Sequence, residues 1–325
     1  MEKLIICILF IVIVVLLLRD RKLQENFENK EIYLENNTSK ETESKMQIIE
    51  PKQNYKEILE KPDMNISTTE ITQLDDSTKL KVAIVSMMRR PKDIDEWLEY
   101  HRSFGIVRFY IRLEDSEDLE EYLGKQKDIT LDLGKSTGKD EYKEIQIRQC
   151  KMVDLALKKA EEDGIDWLIH IDCDELLDGD IKELSKLSNK VRTIVMNNKE
   201  AIYKDIPREN DMCFKAASFR DCSSASSGCV SYVNGKAGGR VADDVHCFGP
   251  HRFRSDKVDT EEKIINMTIL HFESCDFNTY KQKFKHVAKE PKSDIPFPYY
   301  NESVAAAKKN DDKALEEIFR KYRVA

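Results

Sequence analysis

The sequence predicts an α/β module with a mostly parallel sheet and helices on both faces, preceded by an N-terminal membrane helix and a disordered polar stalk. Three observations carry that prediction. Short runs rich in β-branched residues alternate with amphipathic helical stretches from residue 81 onward. Residues 4–18 (LIICILFIVIVVLLL) form one apolar run without a charge. Residues 19–79 carry 10 Lys/Arg and 14 Asp/Glu with few aromatics and no apolar periodicity, whereas 81–325 hold 42 basic and 46 acidic groups spread evenly. The chain thus divides into an anchor (1–22), a flexible stalk (23–79) and a globular module (80–325). A net charge of -8 leaves no basic surplus for nucleic acid, and a single apolar run excludes a polytopic transporter.

As a helix, the apolar run rises ~22 Å against a hydrocarbon core of ~30 Å, a gap that snorkelling by Lys3, Arg19, Arg21 and Lys22 closes. A cleaved leader needs a small-x-small site after the run, and RDRKLQENF offers none, so the expectation is an uncleaved single-pass anchor. The basic residues after the run favour a cytosolic module. Against this, Asn36, Asn37, Asn65, Asn266 and Asn301 all begin N-x-S/T triplets, which matter only in a secretory lumen. The expectation is therefore a lumenal module in the secretory pathway, with the cytosol-facing orientation as its alternative. Cys7 lies in the anchor, and Cys213, Cys222, Cys229 and Cys247 cluster without a C-x-x-C, which argues against zinc. One or two disulfides and simple buried thiols both fit, and the seven cysteines of the module leave at least one unpaired.

Within the module, Lys81–Met87 reads as a buried strand. Asp93 with Glu96 three residues on reads as a capping box opening a helix, whose inner face is Ile94, Trp97, Leu98 and His101 and which Gly105 ends. Val107–Leu113 and Ile129–Leu133 are further strands, and residues 141–162 a long amphipathic helix. Trp167–Ile171 is a strand ending at Asp172, a short helix covers Leu184–Leu187, and Arg192–Met196 is another strand. Residues 213–251 read as a loop-rich binding surface. Periodicity returns in Met267–Phe272 and in helices around Tyr280–Val287 and Val304–Tyr322.

Sheets of this kind place ligands beyond the carboxyl ends of their strands, which directs attention to Asp115, Asp172 and Asp174. In WLIHIDCDELL a buried strand delivers two carboxylates one residue apart, hard oxygen ligands suited to Mn²⁺ or Mg²⁺ and, through the ion, to a diphosphate. The GKST at 134–137 lacks the earlier glycine of a phosphate-binding loop.

Read together, AIVSMMRRPKDIDEWLEYHRSFGIVRFYI, LEDSED and DWLIHIDCDELL resemble nucleotide-sugar glycosyltransferases of the family 2 and family 92 type. Downstream, YVNGKAGGR, FGPHRF and ILHFESCDFNTYKQKF resemble that family's G-K…R, G-P-H and H-F…K-F segments, so the likeness spans about 81–290. The family's Lys-Asn-Glu after the first strand is replaced by Arg89-Arg90-Pro91, and no donor contact carries over to that loop. The resemblance implies a GT-A fold that moves a sugar from a nucleotide-diphosphate donor, a UDP-sugar first, to a glycan, protein or lipid acceptor. It implies that Asp172 and Asp174 hold Mn²⁺ or Mg²⁺, with His251 as first choice and His271 as second choice for the third ligand. It implies that Asp115 contacts the nucleoside, and that Lys236 and Arg240, in a glycine-rich loop, offset leaving-group charge.

An inverting transfer needs a carboxylate base. Asp244 beside Asp243 is the candidate, with Asp221 and Glu175 as alternatives. Two other readings compete. LIHIDCDELL also resembles the opening of a haloacid-dehalogenase-type phosphohydrolase, with Asp243 and Asp244 as its later acid pair, although Leu176 and the preceding α/β pattern depart from that type. The third reading is a membrane-tethered binding module that kept the fold and lost activity.

Overall fold

The computed structural model describes residues 48–49, 80–136, 142–209, 211–223, 229–289, 291, 295 and 297–325. The expected anchor lies outside the described residues, as does the stalk apart from a two-residue strand, Ile48–Ile49 (β1). No helix among the described residues is long and apolar enough to cross a membrane.

The first half of the module alternates strands and helices. Val82–Arg89 (β2) leads to helix Ile94–Phe104 (α1) and then to Ile106–Glu114 (β3). A short helix, Glu120–Gly124 (α2), precedes Ile129–Gly134 (β4), and the long helix Tyr142–Glu162 (α3) precedes Trp167–His170 (β5). These four strands are parallel, in the spatial order β4-β3-β2-β5. Their side chains alternate between two cores, as the period of two requires. Val82, Ile84 and Met88 face one core with Trp97 and Leu98 of α1, while Ala83 and Val85 face the other with Val153 and Leu157 of α3.

The second half is built differently. Glu175–Asp178 (β6), a 3₁₀ turn at Ile181–Lys186 and the twelve-residue Val191–Ile202 (β7) are followed by Ser218–Asp221 (β8) and Lys236–Arg240 (β9). A small hairpin, Val245–Cys247 (β10) with Phe253–Ser255 (β11), precedes Glu261–His271 (β12). Strand β9 is antiparallel and lies between β5 and β7. Strand β12 runs parallel to β7, and β6 pairs with it in reverse. Strand β8 pairs antiparallel with the end of β7, and β1 with β8. The sheet is thus mixed but mostly parallel, with helices on both faces, a Rossmann-like arrangement. Helices Phe277–Val287 (α4), Tyr300–Lys308 (α5) and Asp312–Arg323 (α6) close the chain.

Three expectations change. Asp93 precedes α1 with φ 51 and makes no side-chain cap; its carboxylate accepts instead from the Cys213 amide at 2.6 Å, so a long-range contact displaces the capping box. The single helix expected over 304–322 is two, because Asn310 turns left-handed at φ 54 and Asp311 caps α6 by accepting from the Ala314 amide. The stretch 213–251 holds β8, β9 and β10, the Cys222–Cys229 disulfide, and one end of the Cys213–Cys275 disulfide. Cys150, Cys173 and Cys247 are free thiols.

Candidate functional site

Asp172 leaves the carboxyl end of β5, where the Ile171 amide still donates to Val85 O of β2. Its Oδ2 accepts from Lys236 Nζ at 2.5 Å and its Oδ1 from Gln149 Nε2 of α3 at 3.3 Å. Lys236 begins β9 rather than sitting in a loop, is buried, and also reaches Glu175 Oε2 at 3.4 Å. Burial alone would push the Asp172 carboxyl up, but the Lys236 ammonium, with His170, holds it well below the usual carboxylate range. Burial works against the Lys236 charge too, and the Asp172 and Glu175 carboxylates push its pKa up nonetheless.

Glu175, fully buried, fixes the turn that carries both aspartates. Its Oε2 accepts from the Asp172 amide at 2.7 Å, its backbone carbonyl from Trp97 Nε1 at 2.8 Å, and its Oε1 from the Tyr232 hydroxyl. Burial raises its pKa. The Tyr232 ring in turn packs against His251 and His271, with centroids 5.0 and 4.9 Å away.

Asp174 is half-buried, and its Oδ2 faces His271 Nε2 at 3.8 Å. The other ring nitrogen of His271 meets Ser231 Oγ at 3.3 Å, and Ser231 donates to the buried Glu200, which Arg220 pairs at 3.2 Å. Burial would lower the His271 pKa, but the Asp174 carboxylate beside it raises it. His251, the first choice from sequence, turns Nδ1 to Gly235 O at 2.6 Å, and burial, then Lys236, pull its pKa down to about 3. His170 contacts Pro250 O at 2.9 Å and is pulled down to about 4 by burial and then by Lys236.

A carboxylate oxygen and an imidazole nitrogen this close fit a hard divalent ion, which typically takes one or two carboxylates and completes its shell with water and substrate phosphate. The fuller set expected from sequence does not converge. The three-ligand cluster within 4.8 Å among the described residues is Glu200, Cys222 and Cys229, whose two cysteines are already joined in a disulfide.

Asp115 stands after β3 with φ 47, its carboxylate held by the Ser136 amide and hydroxyl and by Arg89 Nε at 3.1 Å. The Ser136 hydroxyl bond is the main cause that lowers its pKa. It borders a cleft of about 260 Å³ lined also by Leu113, Ser116, Glu117, Leu133 and Gly134 at the carboxyl ends of β3 and β4. Strand β2 alone separates β3 from β5, so Asp115 and Asp172 lie two strands apart on the same carboxyl edge of the sheet. The Arg89-Arg90-Pro91 loop docks on the same corner, with the Arg90 amide donating to Ser116 Oγ at 2.7 Å.

Arg240, Asp243 and Asp244 are not brought to this site. Strand β9 runs from Ala237 opposite His170 to Arg240 opposite Trp167, towards the amino end of β5. Arg240 there stacks on Trp167 at 4.7 Å and donates to the carbonyl of Val191, and the Val241 amide donates to Asp166 O. Asp244 accepts from Ser255 Oγ at 2.6 Å and Lys257 Nζ at 2.8 Å, with exposed Asp243 beside it. Four residues of strand put that pair about 13 Å away from the Lys236 end. Gln149, Ser231 and Glu200 are site residues that no local signal marks, and Tyr232 opens the YVNGKAGGR segment without an assigned role.

Gly235 sits just before β9, with its carbonyl on His251 Nδ1 at 2.6 Å. It has φ +62, and a Cβ there would collide with the Met196 carbonyl. Gly235→Ala is expected to cost about 2–3 kcal/mol or more of stability, read as a lower urea midpoint.

No family model matches the chain. A solved structure, that of HddC from Yersinia pseudotuberculosis, aligns at a TM-score of 0.27 and 15% identity over 44% of this chain and 69% of that one, too low to bear on the reading. Two curated relatives come from Arabidopsis thaliana. Glycosyltransferase-like At3g57200 is 26% identical over 54% of this chain and 43% of its own length. Glycosyltransferase-like At2g41451 is 22% identical over 56% of this chain and 51% of its own. The chain is therefore similar, at low identity, to proteins named glycosyltransferase-like, and it spans about half the length of these curated relatives.

Proposed function

We propose that the chain is a metal-dependent glycosyltransferase of GT-A type, related to families 2 and 92, that takes a nucleoside-diphosphate sugar. The observation that carries this reading is the pair Asp172 and Asp174 at the carboxyl end of β5, with Asp174 facing His271 at 3.8 Å. Asp174 and His271 would hold Mn²⁺ or Mg²⁺, which when bound neutralises charge developing on the donor diphosphate. Asp172, its two oxygens engaged by Lys236 and Gln149, keeps the turn in register. Asp115 and the cleft beside it would receive the nucleoside, two strands away on the same carboxyl edge. The buried Lys236 ammonium acts on the donor only through Asp172. Arg240, Asp243 and Asp244 take no part in this reading.

The same placement weakens the dehalogenase-type alternative, whose later acid pair would be Asp243 and Asp244, at the far end of β9. Two disulfides and the exposed triplet residue Asn266 support an oxidising, lumenal compartment behind a single-pass anchor. The acceptor is a glycan, protein or lipid. A panel of UDP- and GDP-sugars incubated with the full chain and Mn²⁺ is expected to show release of nucleoside diphosphate from at least one donor. Absence of binding and release across the panel would favour the inactive binding module instead.

A further inference from the structure

Cys150 and Cys247 come from elements 97 residues apart, yet their sulfurs stand 2.8 Å from each other. Cys150 lies on α3 directly after Gln149, whose amide reaches Asp172. Cys247 ends β10, just before the loop Phe248–Arg252 that carries Pro250 and His251. A second contact holds the two elements in register: the Cys247 amide donates to Asp154 Oδ1 at 2.8 Å, and Asp154 lies one helical turn beyond Cys150. Both cysteines are half-buried, within reach of a small reagent; Cys173, the third free thiol among the described residues, is half-buried as well but lies between the two aspartates, with its pKa pushed well up. The Cys247 thiol donates to the Cys150 sulfur, and that bond lowers the Cys150 pKa, the polarity a nucleophilic thiolate needs.

We propose that Cys150 and Cys247 form a thiol–disulfide modification site that, when oxidised, clamps α3 to the loop Phe248–Arg252 at the edge of the candidate site. The oxidant is a small-molecule disulfide such as glutathione disulfide. The Cys150 thiolate attacks one of its sulfurs, the S–S bond breaks and one glutathione thiolate leaves. Cys247 then gives up its proton and attacks the Cys150 sulfur, expelling the second glutathione. Two electrons and two protons pass in total from the pair to the oxidant. The clamp does not depend on glycosyl transfer, since it rests on the juxtaposition of two thiols on elements already docked.

The test uses the full chain, equilibrated with glutathione disulfide, acid-quenched, alkylated, digested and analysed by mass spectrometry. The expected result is a Cys150–Cys247 cross-linked peptide lighter by two hydrogen atoms than the separate thiols, with Cys173 recovered outside the cross-link. In Cys150→Ser, Cys247 becomes alkylatable under the same conditions. Amide exchange over Phe248–Arg252 is expected to slow by about tenfold on oxidation of the wild type. The proposal is overturned by a Cys150–Cys173 link, by alkylation of both cysteines in material whose Cys213–Cys275 and Cys222–Cys229 bonds are intact, or by unchanged exchange in the cross-linked protein. The wild-type mapping stands whether or not the serine variant folds.

Discussion

Lys236→Met is expected to lower stability by about 3 kcal/mol and to abolish turnover of any donor that the wild type accepts. The side chain is 1% exposed and is the ammonium between two carboxylates, Asp172 at 2.5 Å and Glu175 at 3.4 Å. Removing one partner from a buried ionic cluster costs more than the cluster ever contributed, because the remaining charges stay desolvated. Glu175 also receives the Asp172 amide and the Tyr232 hydroxyl, so relaxation around it displaces both the aspartate turn and the ring packed on His251 and His271. Chemical denaturation gives the stability loss, and nucleoside diphosphate release gives the activity. Lys236→Arg keeps the charge but overfills the site, and is expected to recover part of the stability and little of the rate. A fully active Lys236→Met would show that the cluster does not organise the site.

Arg323→Met is expected to cost about 3–5 kcal/mol without touching the carboxyl edge of β5. Arg323 ends α6, is 2% exposed and pairs with Glu273, whose carboxylate also accepts from Tyr299 at 2.6 Å and Lys283 at 2.8 Å. Burial would raise the Glu273 pKa, but Arg323 and Lys283 hold it well below the usual range. The backbone around Arg323 completes a clasp: the Tyr203 amide donates to Arg323 O at 2.8 Å, and the Ala325 amide donates to Tyr203 O at 2.9 Å. The substitution therefore strands a buried carboxylate and loosens the closing helix from the end of β7. A loss under about 1 kcal/mol, the size of an exposed pair, would contradict this account.

Much of the fold is legible because its signals are local. VAIVSM and WLIH are strands in the structure, since runs buried on both faces need no alternation of polarity, whereas VRFYIRL sets Arg108 and Arg112 on one face and buries Phe109, Ile111 and Leu113 on the other. The inner face of α1 is buried as its spacing implies, and Gly105 ends the helix at φ 110. Strand β9 was less readable, because KAGGR looks like a flexible loop. Its glycines serve close packing instead: a Cβ on Gly238 would stand 3.2 Å from Ile169 and Ile194, and one on Gly239 2.6 Å from Phe253. The direction of that strand decides the site. Because β9 runs against β5, Lys236 joins Asp172 while Arg240 and Asp244 are carried to the opposite end, a separation that no spacing in the sequence encodes. Asp172 and Asp174 stand out in the sequence by their place at the end of a buried strand and by the segments that surround it. His271 rather than His251 faces Asp174, and Ser231 and Glu200, 31 residues apart in the chain, stand behind it, a grouping no local pattern marks.

The most direct measurement is calorimetric titration of UDP and GDP into the full chain, with and without Mn²⁺, for the wild type and for Asp174→Asn. The account predicts that one nucleotide binds the wild type at least about tenfold more tightly with Mn²⁺, and that Asp174→Asn removes this dependence while leaving the thermal transition in place. Equal affinity with and without the ion, or an undiminished ion effect in Asp174→Asn, would contradict the assignment of Asp174 to a divalent cation.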